Sequence, residues 1–312
     1  MTVPYLGFGA YIGVGIESTY GTAVSRTRWM RPTSIGLART IRNAVQPDLS
    51  GEIDSYAPLF TYSEGEESGG TIEGYLAYND YVATILLKMA FGACTDAGAN
   101  PYTHTYVPSK TIGSMTIEQG SKDFAEVFEG CQVNSIEISW EVGRVATISA
   151  EIIAETSGGQ TTVSSPTFIV PSFSLHNEVG TLSWNSVTST LKRVKFKLNN
   201  NLQRRQQLGS DITAEPTKSG PLDLFLEIEK EKVALTMQTA YIAKTQADAT
   251  ITITKSASAA LSITLHNALI ESYNDTVGDV GPVMERITLR GYRDASDKGC
   301  SLVVTNANAT AV

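Results

Sequence analysis

Three histidines are the residues of this chain best suited to acid-base or metal chemistry: His104, His176 and His266. A general base or a metal site needs other ligand-type side chains close by. Each histidine is flanked in sequence by Thr, Leu, Tyr or Asn instead. We therefore expect structural histidines that are exposed or hydrogen-bonded.

Carboxylates and glycines form two further candidate sites. Glu64, Glu66 and Glu67 lie in a polar stretch, where a solvated acidic loop is favoured over a desolvated catalytic pair. Between Gly7 and Gly15 the glycines are spaced G-x-G-x-x-x-G, which differs from the G-x-G-x-x-G of dinucleotide-binding loops. The sequence contains no phosphate-binding loop, H-E-x-x-H or G-x-S-x-G motif. We predict no enzyme activity, no cofactor and no metal site.

The charge balance is acidic, with 24 Lys and Arg against 32 Asp and Glu and a formal net charge of -8. A nucleic-acid-binding protein needs a basic patch, because counterion release drives that binding. The basic residues cluster only at Lys192–Lys197 and at Arg204 and Arg205. We expect these clusters to be solvated or to face a subunit.

Cysteine usage and the N-terminal segment indicate the cellular compartment in which the chain is made. Cys94, Cys131 and Cys300 are far apart and odd in number, so they predict no disulfide framework. The first basic residue is Arg26, which does not favour a secretory signal. The most apolar stretch, residues 7–16, is shorter than the roughly 18 residues of a membrane span. We expect synthesis in a reducing cytoplasm and no membrane partner.

Alternation of apolar and polar residues is the dominant pattern. It is clearest at Asn134–Val142 and Ala146–Glu155, which flank Gly143 and predict an antiparallel hairpin. Arg193–Leu198 and Thr250–Thr254 alternate in the same way. The pattern predicts an all-β protein with minor helix, a β-rich α+β class.

One predicted helix has recognisable capping residues at both ends. Asn79 and Asp80 are suited to cap it, apolar residues follow at helical spacing, and Gly92 after Phe91 is a natural left-handed stop. The sequence predicts a helix over Asp80–Phe91 that lies across a sheet.

An internal repeat places Gly70 over Gly220, an offset of 150 residues. A helix-like segment follows each copy, Asp80–Phe91 in the first and Lys230–Tyr241 in the second. A long polar loop precedes each copy, Asn43–Gly69 and Asn199–Ser219. With a linker-like composition at Ser157–Pro171, we predict two tandem domains, residues 1–165 and 166–312.

Two segments resemble a known family. Gly13–Leu37 contains the pattern G-x-E-x-x-Y-G-T-A through Glu17, Tyr20 and Gly21, and it looks like the start of siphophage tail tube proteins. Tyr102–Gly120 is similar to the same family, with a Pro-Ser followed by a Thr-Ile strand.

This resemblance implies two tail-tube-type β-sandwich or barrel domains, each with one flanking α-helix. It further implies a major tail tube subunit of a long non-contractile tail, in which trimeric, pseudo-hexameric rings stack into a conduit for DNA. The implied partners are other copies of the chain, a tape measure protein, a tail terminator and distal tail or baseplate proteins. DNA would pass without specific binding. The implied location is the virion tail, after assembly in the host cytoplasm.

The sequence pattern also predicts which residues would line the lumen and which would stack the rings. Outward-facing acids of the predicted inner strands are candidates for the lumen: Glu73, Glu137, Glu141 and Asp223. The first long loop is the candidate for ring stacking, through Asp48, Glu52, Asp54, Tyr56, Phe60 and Tyr62.

Two other readings of the sequence remain open. One is another β-sandwich virion component, such as a tail terminator or a capsid decoration protein. The other is a carbohydrate-binding module, for which Tyr56, Phe60 and Tyr62 could form an aromatic platform.

Overall fold

A computed structural model describes residues 9–46, 60–185, 187–277, 281–296 and 298–311. Antiparallel strands dominate it and two α-helices complete it, which confirms the all-β class with minor helix. The strands of the first half, in chain order, are β1 Tyr11–Ile16, β2 Arg28–Met30, β3 Ser34–Ile35, β4 Ala38–Gln46, β5 Phe60–Tyr75, β6 Gly92–Gly98, β7 Tyr102–Pro108, β8 Met115–Gly120, β9 Ala125–Glu141, β10 Thr147–Ala154 and β11 Thr156–Gln160.

The second half begins with a short 3-10 helix at His176–Glu178. Its strands are β12 Val179–Trp184, β13 Val187–Ser189, β14 Arg193–Asn199, β15 Leu202–Arg205, β16 Ala214–Lys218, β17 Asp223–Glu231, β18 Gln246–Ser256, β19 Ala259–Thr276, β20 Met284–Arg290 and β21 Cys300–Asn306. Helix α1 spans Tyr81–Phe91 in the first half, and helix α2 spans Thr236–Ile242 in the second.

The ends of α1 follow the predicted capping chemistry. The Asp80 carboxylate accepts a hydrogen bond from the backbone N–H of Val82 at 2.8 Å, and Gly92 adopts a left-handed conformation with φ of 87°. The predicted hairpin is confirmed as well, because β9 and β10 pair antiparallel around Gly143, whose φ is 82°.

The predicted start of the second helix is wrong. Lys230 and Glu231 belong to β17, and α2 begins only at Thr236. Lys230 continues the alternation of the strand and forms a buried ion pair with Glu285 of β20 at 2.8 Å. A residue whose partner lies on a strand more than 50 positions away cannot be assigned from local spacing, and the 150-residue offset does not hold across the helix.

The two halves repeat one strand order. In the first half β4 pairs with β5, β5 with β10, and β10 with β9. In the second half β14 pairs with β17, β17 with β20, and β20 with β19. Strands β9 and β14 also pair with each other, in a ladder from Ser135 with Asn199 to Glu141 with Arg193. The eight strands therefore form one continuous antiparallel sheet.

The long strands β9 and β19 continue into a second layer. The first part of β9 pairs with β8, which pairs with β1, and the first part of β19 pairs with β18 and β21. Strand β21 in turn pairs with β7 of the first half. The apolar core lies between these layers and includes α1. The predicted boundary at residues 165 and 166 stays a prediction.

The two long polar segments are not simple loops. Residues 43–46 belong to β4 and residues 60–69 to β5, so the described part of Asn43–Gly69 is an extension of the β4–β5 hairpin. Strands β15 and β16 form a hairpin within Asn199–Ser219. Ser, Thr, Gly and Glu read as loop residues by composition, but they pair as strands where backbone partners are available.

Among the described residues, neither helix α1 nor helix α2 has the length and apolar character needed to cross a bilayer.

Candidate functional site

One face of the eight-stranded sheet is polar. A row of paired residues crosses it from Glu73 through Ser149, Glu137, Lys197 and Phe225 to Arg290. Neighbouring rows contain Glu141 and Asp223. All four candidate lumen acids therefore lie on this surface, which we call the polar face.

The opposite face of the same strands is apolar. Residues one position along from the polar row, among them Ile72, Ile138, Phe196 and Leu226, are almost wholly buried. Strand alternation with a period of two separates the faces, and the ladders keep this separation in phase across both halves. The polar face is thus the exposed side of a single sheet.

Ion pairs occupy much of the polar face. Lys195 contacts Glu137 at 2.8 Å, Arg290 contacts Asp223 at 2.7 Å, and Arg144 contacts Glu141 at 3.4 Å. Glu73, on β5, is exposed. These half-exposed pairs contribute little stability individually, on the order of 1 kcal/mol or less.

Charge is distributed unevenly over this face. Within the described ladders, β5, β10 and β9 contribute acids, namely Glu73, Glu151, Glu137 and Glu141. Most of the cations come from the second half: Arg193, Lys195, Lys197, Arg286 and Arg290. The predicted basic cluster at Lys192–Lys197 is thus largely strand β14, opposite the acids of β9.

Two strand edges of the sheet are open in the single chain. Residues 34–42 of β3 and β4 pair only with β5, and residues 270–276 of β19 pair only with β20, among the described strands. We call them the β4 edge and the β19 edge. Open edges present unpaired backbone N–H and C=O groups, which suits them to pairing with another chain.

The β15–β16 hairpin reaches from the second half onto the first. The guanidinium of Arg204 donates to the backbone carbonyls of Ala154 and Ser68. The carbonyl of Asp211 accepts from the backbone N–H of Glu66 at 2.7 Å. The hairpin therefore packs on the first half and holds β5 next to the end of β10.

Two of the six candidate stacking residues, Phe60 and Tyr62, lie among the described residues. Asp48, Glu52, Asp54 and Tyr56 lie outside the described residues. Phe60 begins β5, and Tyr62, in the same strand, is 48% exposed.

The tail-tube-like N-terminal pattern has a structural role that spacing did not reveal. The buried carboxylate of Glu17 accepts hydrogen bonds from Thr116 at 2.8 Å and from the backbone N–H groups of Gly130 and Gly21 at 3.0 and 3.1 Å. Gly21 has φ of 70°, and a Cβ there would collide with Glu155. Through the Glu17 hydrogen bonds, the pattern fixes the segment that follows β1 against β8 and β9.

Burial perturbs the carboxylates around this anchor. Burial and the charge of Glu17 raise the pKa of Glu129, and the same two effects, with the charge of Glu129, raise the pKa of Glu155. Within the described residues, no group of three or more His, Cys, Asp or Glu is placed to hold a metal ion.

His104 is a fully buried hydrogen-bonded residue. Its Nδ1 lies 2.7 Å from Asp96 and its Nε2 lies 3.0 Å from the Asn306 Oδ1. Asn306 is oriented by donating to the carbonyl of Tyr78 and accepting from the N–H of Asn308. Burial acts to raise the pKa of Asp96, but the bond to His104 and the N–H of Ala311 outweigh it and lower that pKa.

Comparison with known proteins identifies the family. A family model described as "Phage tail tube protein" matches residues 7–291, nearly the whole chain. No curated protein gives a significant match. The match spans both halves, the Glu17 anchor and the eight-stranded sheet, and on this basis the chain belongs to the phage tail tube protein family.

Proposed function

We propose that the chain is the major tail tube subunit of a long non-contractile tail, and that three copies close into a pseudo-hexameric ring. One observation carries the proposal: the order β4–β5–β10–β9 recurs as β14–β17–β20–β19, and the two sets join through β9 and β14. The chain therefore contains two equivalent units of a ring and one of its joints.

Repeating that joint closes the ring. The β19 edge is the counterpart of β9 and the β4 edge is the counterpart of β14, so the β19 edge of one chain can pair with the β4 edge of the next. Each chain would then contribute eight strands and lose both open edges. Closure removes the exposed hydrogen-bonding groups that make edges prone to uncontrolled association.

The polar face supplies the lumen in this proposal. Glu73, Glu137, Glu141 and Asp223 would face passing DNA, with the acids of the first half alternating around the ring with the mixed charges of the second. A surface that is not basic on balance would not hold phosphates, which limits friction during passage. Reversing Glu73 and Glu141 to Lys in tubes that still assemble should slow genome delivery, whereas unchanged delivery would argue against an electrostatic role.

Stacking of rings is assigned to the β4–β5 hairpin, including Asp48, Glu52, Asp54, Tyr56, Phe60 and Tyr62. Its two strands continue past the sheet, as the described residues of β4 and β5 do. Deleting residues 47–59 should leave a folded subunit that forms rings but no tubes.

The remaining partners follow from the role. A tube of this kind would enclose a tape measure protein and end at a tail terminator and at distal tail or baseplate proteins, after assembly in the host cytoplasm. Nothing in this role requires catalysis.

The test is electron microscopy and native mass spectrometry of the purified protein. Rings or tubes with three chains per ring are expected. A ring of six chains would contradict the trimer. A soluble particle that never stacks would favour a tail terminator or capsid decoration protein, and binding to a glycan array would favour a carbohydrate-binding module.

A further inference from the structure

Helix α2 carries an unusual amount of exposed apolar surface. Among its seven residues only Met237 and Ala240 are buried. The exposed apolar residues on and around it are Val233, Leu235, Tyr241, Ile242 and Val277, of which Ile242 is 73% exposed. We call this group the α2 surface. It lies beside β19, since Tyr241 stacks on Tyr273 at 6.0 Å between ring centroids.

Helix α1 occupies the corresponding place in the first half, and there the same kind of surface is covered. The second half supplies the cover. The ring of Phe196 on β14 stacks on Phe91 at 6.2 Å. Asn200 donates to the carbonyl of Ala90 at 2.8 Å, and the carbonyl of Ala311 accepts from the Thr84 hydroxyl at 2.6 Å.

Helix α1 is therefore a seam helix, placed where β9 meets β14. Its residues are buried on nearly all sides, with Val82, Leu86 and Phe91 each at 1% exposure or less. A helix that is apolar all round is stable only when neighbours cover every side. In α1 those neighbours come from both halves.

The β4 edge bears matching residues that its own chain covers only in part, since Ile35 is partly buried and Arg39 and Ile41 are exposed. Ile35 pairs with Ile72, and Arg39 and Ile41 continue the same side of the strand, the side that is continuous with the core. Ile41 is 52% exposed there. Its counterpart side on β14 carries Val194, Phe196 and Leu198, which are almost wholly buried.

We propose that the α2 surface docks on the β4 edge of a second copy of this chain, through Ile35, Arg39 and Ile41, as α1 docks on β14. The inference rests on the proposed ring, and it names the contact that closes it. The first seam is the template, because it joins a helix and a strand edge of one half to a strand of the other. Among the described residues, helix α2 and the β19 edge lack a partner at one end of the sheet, and the β4 edge lacks one at the other end.

The experiment compares Ile242→Lys and Ile41→Lys with the wild-type chain by native mass spectrometry over a concentration series. Each variant places a charge in the proposed seam, and each should raise the concentration for half-assembly at least tenfold. Leu208→Lys is the matched control, because Leu208 is fully exposed on the β15–β16 hairpin, and it should form trimers as the wild type does. Thermal unfolding of the monomers checks that all three variants fold.

A photo-crosslinker at position 242 gives a second readout in a mixture of isotopically labelled and unlabelled chains. Crosslinks between differently labelled chains should map to residues 34–42. If wild-type trimers form while Ile242→Lys assembles normally, or if the crosslinks map elsewhere, the docking is overturned and the tube function stands. A wild-type chain that stays monomeric overturns both.

Discussion

Helices α1 and α2 have equivalent places and different surroundings. Helix α1 has 11 residues, an Asp80 cap and almost no exposed apolar surface, whereas α2 has seven residues, no side-chain cap bond and several exposed apolar neighbours. The difference follows from what covers each helix: α1 is covered by the second half of the same chain, and no described residue covers α2 in the same way. Burial of a helix here depends on what lies across the seam more than on the helix itself.

The largest expected loss of stability comes from removing a side chain that fills the seam between β9 and β14. Phe196→Ala removes a fully buried ring that stacks on Phe91, so we expect the free energy of unfolding of the monomer to fall by about 3–5 kcal/mol. Urea unfolding measures it. The control is Phe225→Ala on the polar face. The Phe225 ring is half-buried and contacts Arg290, so its removal should lower the free energy of unfolding by about 1 kcal/mol. Equal losses in the two variants would refute the seam as the stabilising element.

The second-largest loss of stability should come from the hydrogen bonds that hold β21 to the segment before α1. Asn306→Leu removes the donor to Tyr78 and the acceptor for Asn308 and His104. Buried groups left unsatisfied cost about 1–3 kcal/mol each, so we expect a loss of roughly 2–4 kcal/mol. Asn274→Ala on the exposed β19 edge should stay within about 0.5 kcal/mol. A tolerated Asn306→Leu would show that the β21 segment does not hold α1 in place.

A pH series tests how deeply the start of α1 is buried. Burial raises the pKa of Asp80 to about 6, although the N–H groups of Val82 and Ala83 oppose the shift. Because the folded-state pKa is raised, the stability that Asp80 contributes is full below the ordinary carboxyl pKa and is lost as pH rises through about 6. Asp80→Asn lacks this loss, so its stability relative to wild type should rise by about 2 kcal/mol between pH 4 and pH 7. A pH-independent difference would indicate a solvated cap.

The smallest effect is expected at the open seam. Ile242→Ala in the isolated monomer should change the free energy of unfolding by no more than about 0.5 kcal/mol, because the side chain is already in water. The same substitution should weaken ring formation. A large loss of monomer stability would mean that α2 is covered within its own chain, and the contrast between the helices would fail.

Sequence patterns were sufficient wherever the structure depends on near neighbours. The cap at Asp80, the stop at Gly92 and the turn at Gly143 use hydrogen bonds and backbone angles within a few residues, and the alternation around Ile136 and Ile138 reflects one strand with one covered face. Such signals also sufficed for the all-β class.

Tertiary structure decided the features that join distant residues. The β9–β14 ladder, the Lys230–Glu285 pair and the strand character of residues 60–69 depend on partners that local spacing does not encode. The Glu17 anchor is similar, since its donors come from β8 and β9. A backbone ladder accepts almost any side chain, so the pairing of one strand with another leaves little trace in either sequence. The sequence by itself therefore determined the locally specified elements and the faces of the alternating strands, and only the fold determined which strand edges are paired and which are open in the single chain.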